Sequence, residues 1–87
     1  MGFGEALAAL KAGKKVSRHG WNGKGQYIEL ATGIGYVNLS GRVINADHMD
    51  MGNKAIAFVG TRGVQVGWLA SQSDLLAEDW YVVEFNK

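Results

Sequence analysis

The residues best equipped for chemistry sit together in one loop, Arg18-His19-Gly20-Trp21-Asn22-Gly23-Lys24-Gly25. Glycine lets backbone N–H groups come close to a ligand, and concave runs of such groups bind anions. Arg18 and Lys24 add positive charge. Asn22 and the backbone of Gly23 and Gly25 can read phosphates or base edges. Trp21 offers a flat face for stacking a base. The loop thus combines phosphate-type with base-type recognition. The plain alternative is a hairpin connection whose tryptophan is anchored in the core.

A second set lies towards the other end. Ser71-Gln72-Ser73-Asp74 opens a short helix, with Ser71 as its cap and Asp74 in a capping-box position. A helix start presents donors outward. Ser71 and Asp74 can also bond ligand hydroxyls there, and an acid suits ribose hydroxyls or an adenine amine better than a phosphate. Trp68, at the end of the preceding strand, and Tyr27 complete a candidate wall. The plain alternative leaves Ser71 and Asp74 as cap residues only. Trp80 reads as a core anchor.

Catalysis has little to build on. The chain has no Gly-x-x-x-x-Gly-Lys-Ser/Thr loop, no complete Gly-x-Gly-x-x-Gly run and no Gly-x-Ser-x-Gly elbow. Glu78 and Asp79 are adjacent and point to different sides, which argues against a paired-carboxylate site. Asp47-His48-x-Asp50 can touch a metal, but a solvated polar turn is the simpler reading. With no cysteine, disulfides and thiolate metal sites are excluded. The expectation is a binding protein, not an enzyme, with no cofactor.

The elements that must position these residues follow from periodicity. Phe3, Ala6, Leu7 and Leu10 form one face of a helix over residues 3–12, with Gly13 as its stop. The period then switches to two. Residues 15–18 read as a strand with Val16 inward, and residues 26–30 as a second strand with Ile28 and Leu30 on one face. The loop joining them is longer than a tight hairpin needs, and such extra length often serves binding. Residues 34–39 read as a strand before a turn at Ser40-Gly41. Residues 45–54 read as a polar loop. Residues 55–59 and 64–69 flank a hairpin turn, Gly60-Thr61-Arg62-Gly63. Residues 81–85 make the final strand. The expected fold is α+β, a small antiparallel sheet with an N-terminal helix and a short helix before the last strand, in a single domain over residues 1–87.

Size and charge bound the partners. A chain of 87 residues buries only about 60–65% of its unfolded surface, so small folds often need a staple. Without cysteines, and with a hydrophobic fraction of 47%, self-association is the natural one. A net charge of +1 is not the basic patch of a duplex-DNA binder. No apolar run approaches the ~20 residues that span a membrane, and no signal peptide is visible. The chain reads as cytosolic.

Two blocks carry a resemblance. Residues 3–16, followed by Arg18-x-Gly20-Trp21-Asn22-Gly23-Lys24-Gly25, resemble the start of the Thoeris anti-defence 2-like family. Trp68-Leu69-Ala70-Ser71-Gln72-Ser73-Asp74-Leu75-Leu76-Ala77-Glu78-Asp79-Trp80 is similar to its second signature, with Gly67 where the family pattern carries proline. The resemblance implies a phage protein, acting in the cytoplasm of an infected bacterial host, that sequesters a cyclic nucleotide immune signal without turnover. The implied ligands are glycosylated cyclic ADP-ribose isomers, with cyclic dinucleotides for some members. It also implies a homotetramer with no membrane, DNA or RNA partner. The ligand-binding residues would then be Arg18, Trp21, Asn22, Gly23, Lys24, Tyr27, Trp68, Ser71 and Asp74, in pockets between subunits. Two other readings stay open: a single-stranded nucleic-acid binder, against which the near-neutral charge argues, and a phage structural or assembly protein with its aromatics in the interface.

Overall fold

The apolar stripe near the N-terminus forms α1 (Phe3–Lys11), which buries Ala6 and Leu10. Its start is tied by the Gly2 N–H, which donates to Glu5 Oε1 at 3.3 Å. The computed structural model describes residues 1–22, 24–45 and 53–84. Gly23, the Asp47-His48-x-Asp50 cluster, most of the polar 45–54 segment and the end of the last strand at Phe85 lie outside the described residues.

Among the described residues, seven strands follow in the order β1 (Lys15–Arg18), β2 (Tyr27–Thr32), β3 (Gly35–Val37), β4 (Val43–Asn45), β5 (Lys54–Gly60), β6 (Gly63–Val66) and β7 (Trp80–Val83), with α2 (Gln72–Leu76) before the last. The main sheet runs β6-β5-β2-β1-β7, and all its pairings are antiparallel. This is the α+β architecture that the periodicity predicts. Alternation places Val16, Arg18, Ile28, Leu30, Ile56, Phe58 and Trp80 on one face, through the registers Val16↔Ile28, Arg18↔Trp80, Ile28↔Phe58 and Leu30↔Ile56. Helix α1 covers that face. Ala6, Leu10, Val16, Ile28 and Trp80 form the core beneath it.

Three expectations are corrected. Strand β6 ends at Val66, so Trp68 lies beyond it. The cause is Gly67, whose φ of +94° turns the chain; the Gly67 and Trp68 N–H groups then both donate to the Ile56 carbonyl, at 3.0 and 2.9 Å. Proline could neither adopt that φ nor donate that bond, so glycine here fits the local path. Trp80 belongs to the last strand instead of preceding it. Residues 43–45 form a strand that periodicity does not reveal, because it is only three residues long. It pairs with β3 in a separate two-stranded ribbon. The turn of that ribbon is closed by Asn38, whose side-chain oxygen accepts from the Ser40 N–H, the Ser40 hydroxyl and the Arg42 N–H at 3.1, 2.7 and 2.9 Å.

Candidate functional site

The two sequence blocks meet at Asp74. Ser71 caps α2: its hydroxyl accepts from the Asp74 N–H at 3.0 Å, and the Ser71 N–H donates to Asp74 Oδ2 at 3.0 Å. That is the expected capping box. The other carboxylate oxygen, Oδ1, accepts from Arg18 Nη1 at 2.8 Å and from Trp21 Nε1 at 3.0 Å. The Asp74 carbonyl accepts from Trp80 Nε1 at 2.9 Å. One residue therefore binds the first block, the second block and the core anchor.

Arg18 is held from two sides. Its Nε donates to Asp79 Oδ1 at 2.8 Å, and the second Asp79 oxygen accepts from the Gly20 N–H at 2.7 Å. A Cβ at Gly20 would stand 2.8 Å from Asp79 Oδ2 and 3.1 Å from Arg18 Nη2, so a side chain there would push the ends of both side chains out of this arrangement. Both carboxylates raise the Arg18 pKa, Asp79 more than Asp74. The Arg18 guanidinium in turn lowers Asp79, helped by the Gly20 amide. Burial pushes Asp74 up. The hydrogen bonds from Ser71, Trp21 and Arg18 outweigh burial and bring it down to about 2.

An aromatic cluster surrounds this polar knot. The Trp21 ring lies edge-on to Trp80 at 5.3 Å between centroids, tilted against Phe58 at 5.6 Å, and edge-on to Trp68 at 6.2 Å. Trp68 meets Trp80 at 6.3 Å, and Phe3 meets Trp80 at 5.5 Å. Trp80 is 2% exposed, the anchor role that its position in the sequence suggests.

Arg18, Trp21, Trp68, Ser71 and Asp74 are thus brought together. Asn22 and Lys24 are exposed on the same loop. Tyr27 opens β2 on the opposite sheet face, with Lys15 Nζ 5.7 Å from its ring centroid. Gly23 lies outside the described residues.

Beyond Trp68 the same sheet face carries a cavity of about 720 Å³, whose lining includes Leu30, Ile56, Trp68, Leu69, Lys11 and Lys54. Of these residues only Trp68 is a candidate from sequence. Lys11 and Lys54 carry no local motif and come together only through the α1–β5 arrangement. Two further contacts escape sequence reading. Ser17 is buried and donates to the Gln26 carbonyl at 2.7 Å, closing the base of the loop. His19 stacks on Tyr81 at 4.2 Å.

The Asp74 carboxylate makes the fold acid-sensitive in a defined window. Its pKa is lower in the folded state, so the stability it lends is complete above about pH 4 and drains away as pH falls towards about 2. At one pKa unit per about 1.4 kcal/mol, the contribution is on the order of 2 kcal/mol. Thermal unfolding should show the melting temperature dropping by roughly 10 °C across that window. The Asp74→Asn variant should show a clearly shallower drop. An equal drop in both would place the acid sensitivity elsewhere.

Comparison with known proteins assigns the chain. The family model for the Thoeris anti-defense 2-like domain matches residues 1–83. A protein of Bacillus phage SP01, named Thoeris anti-defense 2, is 40% identical over 92 residues, covering 95% of this chain and 94% of the relative. The Asp74 knot joins the two blocks of sequence that carry the likeness, and on the match across its length this chain belongs to the Thoeris anti-defense 2-like family.

Proposed function

We propose that this protein is a phage anti-Thoeris factor that binds a cyclic nucleotide immune signal and holds it without turnover. The observation that carries the reading is the family match over residues 1–83, with a full-length relative named for counteracting Thoeris. The site chemistry agrees with it. A preformed aromatic cluster can stack a base, and the exposed Asn22 and Lys24 stand next to it in the loop. Arg18, Ser71 and Asp74 fix the shape of the wall. Their hydrogen bonds to one another make Arg18 and Asp74 organisers of the loop first, and ligand contacts through whatever donor or acceptor capacity remains.

The protein acts as a homo-oligomer, a tetramer by family resemblance. Two apolar surfaces favour self-association. On the sheet face away from α1, Val64 and Val66 are 63% and 49% exposed. On the β3–β4 ribbon Tyr36, Val37, Leu39 and Val43 are all exposed. Exposed apolar side chains grouped on one element of a small domain suit a contact with a second copy.

One experiment tests capture. The protein is sedimented alone and with cyclic ADP-ribose isomers, cyclic dinucleotides or a single-stranded oligonucleotide, and the bound fraction is denatured and analysed. An oligomer that releases an intact cyclic nucleotide is the expected result. Recovery of a linearised or hydrolysed product would make the protein an enzyme. Binding of the oligonucleotide alone, with a log-affinity slope near −0.7 per phosphate contacted against log salt, would make it a single-strand binder.

A further inference from the structure

We infer that the cavity beyond Trp68 is the part of the protein that takes the ligand's phosphate, with Lys11 and Lys54 as its charge partners and Trp68 as the wall for the adjoining ring. The inference rests on the nucleotide-capture reading and names a place for it that the glycine loop does not supply. The volume of about 720 Å³ falls inside the 300–1,000 Å³ range usual for small-molecule sites. Its walls are Leu30, Ile56, Trp68 and Leu69, and both charged residues lining it are lysines. A mostly apolar cleft whose charged lining is two lysines favours a ligand that joins an apolar or aromatic part to an anion over a cationic one.

The wall is rigid. The Trp68 backbone is fixed by its N–H bond to the Ile56 carbonyl at 2.9 Å. Its ring is backed by Trp21 and Trp80 at 6.2 and 6.3 Å. A ring docking on Trp68 therefore meets a surface that needs no reordering, which preserves the full stacking gain. Lys11 has a plain second role, since it sits in the last turn of α1 and complements the helix dipole. Lys54 has no such role. It opens β5, opposite Thr32 in the register, and sits on the sheet face that carries Ile56 and the cavity.

The arrangement also links the cavity to the Asp74 knot. Trp68 is packed on Trp21 on one side and lines the cavity on the other. A ligand held on Trp68 by its ring and on the lysines by its phosphate reaches along the α1-covered sheet face, away from Arg18 and its two carboxylates. The phosphate so placed needs nothing from Arg18, whose charge Asp74 and Asp79 already neutralise.

The test uses the whole chain with three probes: ADP-ribose, cyclic ADP-ribose and cyclic di-AMP, measured by calorimetry. The variants are Lys11→Glu, Lys54→Glu, the double variant and Leu69→Glu, which places a carboxylate in the cavity lining on a residue already 88% exposed. Lys14→Glu, at an exposed position between α1 and β1 outside the cavity lining, is the charge-matched control. A probe that binds the unaltered protein is expected to weaken about tenfold with each single lysine variant and about a hundredfold with the double variant. Leu69→Glu should act in the same direction, and Lys14→Glu should leave binding unchanged. Binding to the double variant and to Leu69→Glu within about threefold of the unaltered protein would overturn the cavity assignment and leave capture standing. No binding of any probe to the unaltered protein would remove the capture reading and the cavity with it. A shift of the lysine variants or Leu69→Glu to monomers in sedimentation would overturn the inference in favour of a second copy filling the cavity.

Discussion

Replacing Asp74 with alanine is expected to destabilise the fold by about 3 kcal/mol, the largest loss from any single polar side chain here. The substitution leaves Arg18 with one carboxylate instead of two. It strips the acceptor from the Trp21 indole and from the Ser71 N–H, and it removes the N3 acid of α2. Domains hold roughly 0.05–0.15 kcal/mol per residue, so a loss of this size takes a large share of the total. Asp74→Asn should cost less. It keeps one oxygen for Arg18 and Trp21, but turns an amide donor towards the Ser71 N–H. Asp79→Asn should cost less again, because that carboxylate is 34% exposed and water can replace it. Urea unfolding of the three variants checks the order. A midpoint for Asp74→Ala close to that of the unaltered protein would mean that the aromatic packing alone holds the two blocks together.

How much of this was legible in the sequence depends on the range of the interaction. Helix α1, strand β1, the hairpin turn at residues 60–63 and the Ser71–Asp74 capping box are set by residues within a few positions of one another, and each stands where periodicity or capping places it. The core role expected of Trp80 holds too, although the residue opens the last strand and does not end the α2 segment. Trp68 was misplaced by two residues because its position depends on the Ile56 carbonyl in a neighbouring strand. The second strand of the ribbon, Val43–Asn45, escapes a sequence reading because three residues cannot display a period. The pairing of Arg18 with Asp74 and Asp79 spans 56 and 61 positions, and nothing local to Arg18 announces it. A cation in a glycine-rich loop looks the same in sequence whether it faces a phosphate or two carboxylates of its own chain. The lysine-lined cavity was invisible for the same reason. Lys11 looks like an ordinary helix-end cation and Lys54 like an ordinary strand opener, and only the packing of α1 on the sheet brings both to one cavity.

Trp21→Ala should produce two effects of comparable size, one on the fold and one on ligand binding. The ring packs on Phe58, Trp68 and Trp80, and the indole nitrogen donates to Asp74. Deleting it should cost about 3 kcal/mol of stability, so the substitution is not the clean ligand probe that the loop sequence suggests. Base stacking is worth roughly 1–3 kcal/mol, which adds about a five- to hundredfold loss of affinity. Trp21→Phe separates the two. It keeps an aromatic face and most of the packing, and removes only the donor, for about 1 kcal/mol. Binding is therefore measured at a temperature where circular dichroism and sedimentation show both variants folded and assembled. Loss of binding in Trp21→Ala with retention within a few-fold in Trp21→Phe is the expected pattern, and it assigns the ring face to the ligand. Full binding by a folded Trp21→Ala would make Trp21 an anchor of the Asp74 knot and nothing more. Equal loss in both variants would mean that the indole–carboxylate bond, by setting the shape of the loop, controls capture in place of the ring.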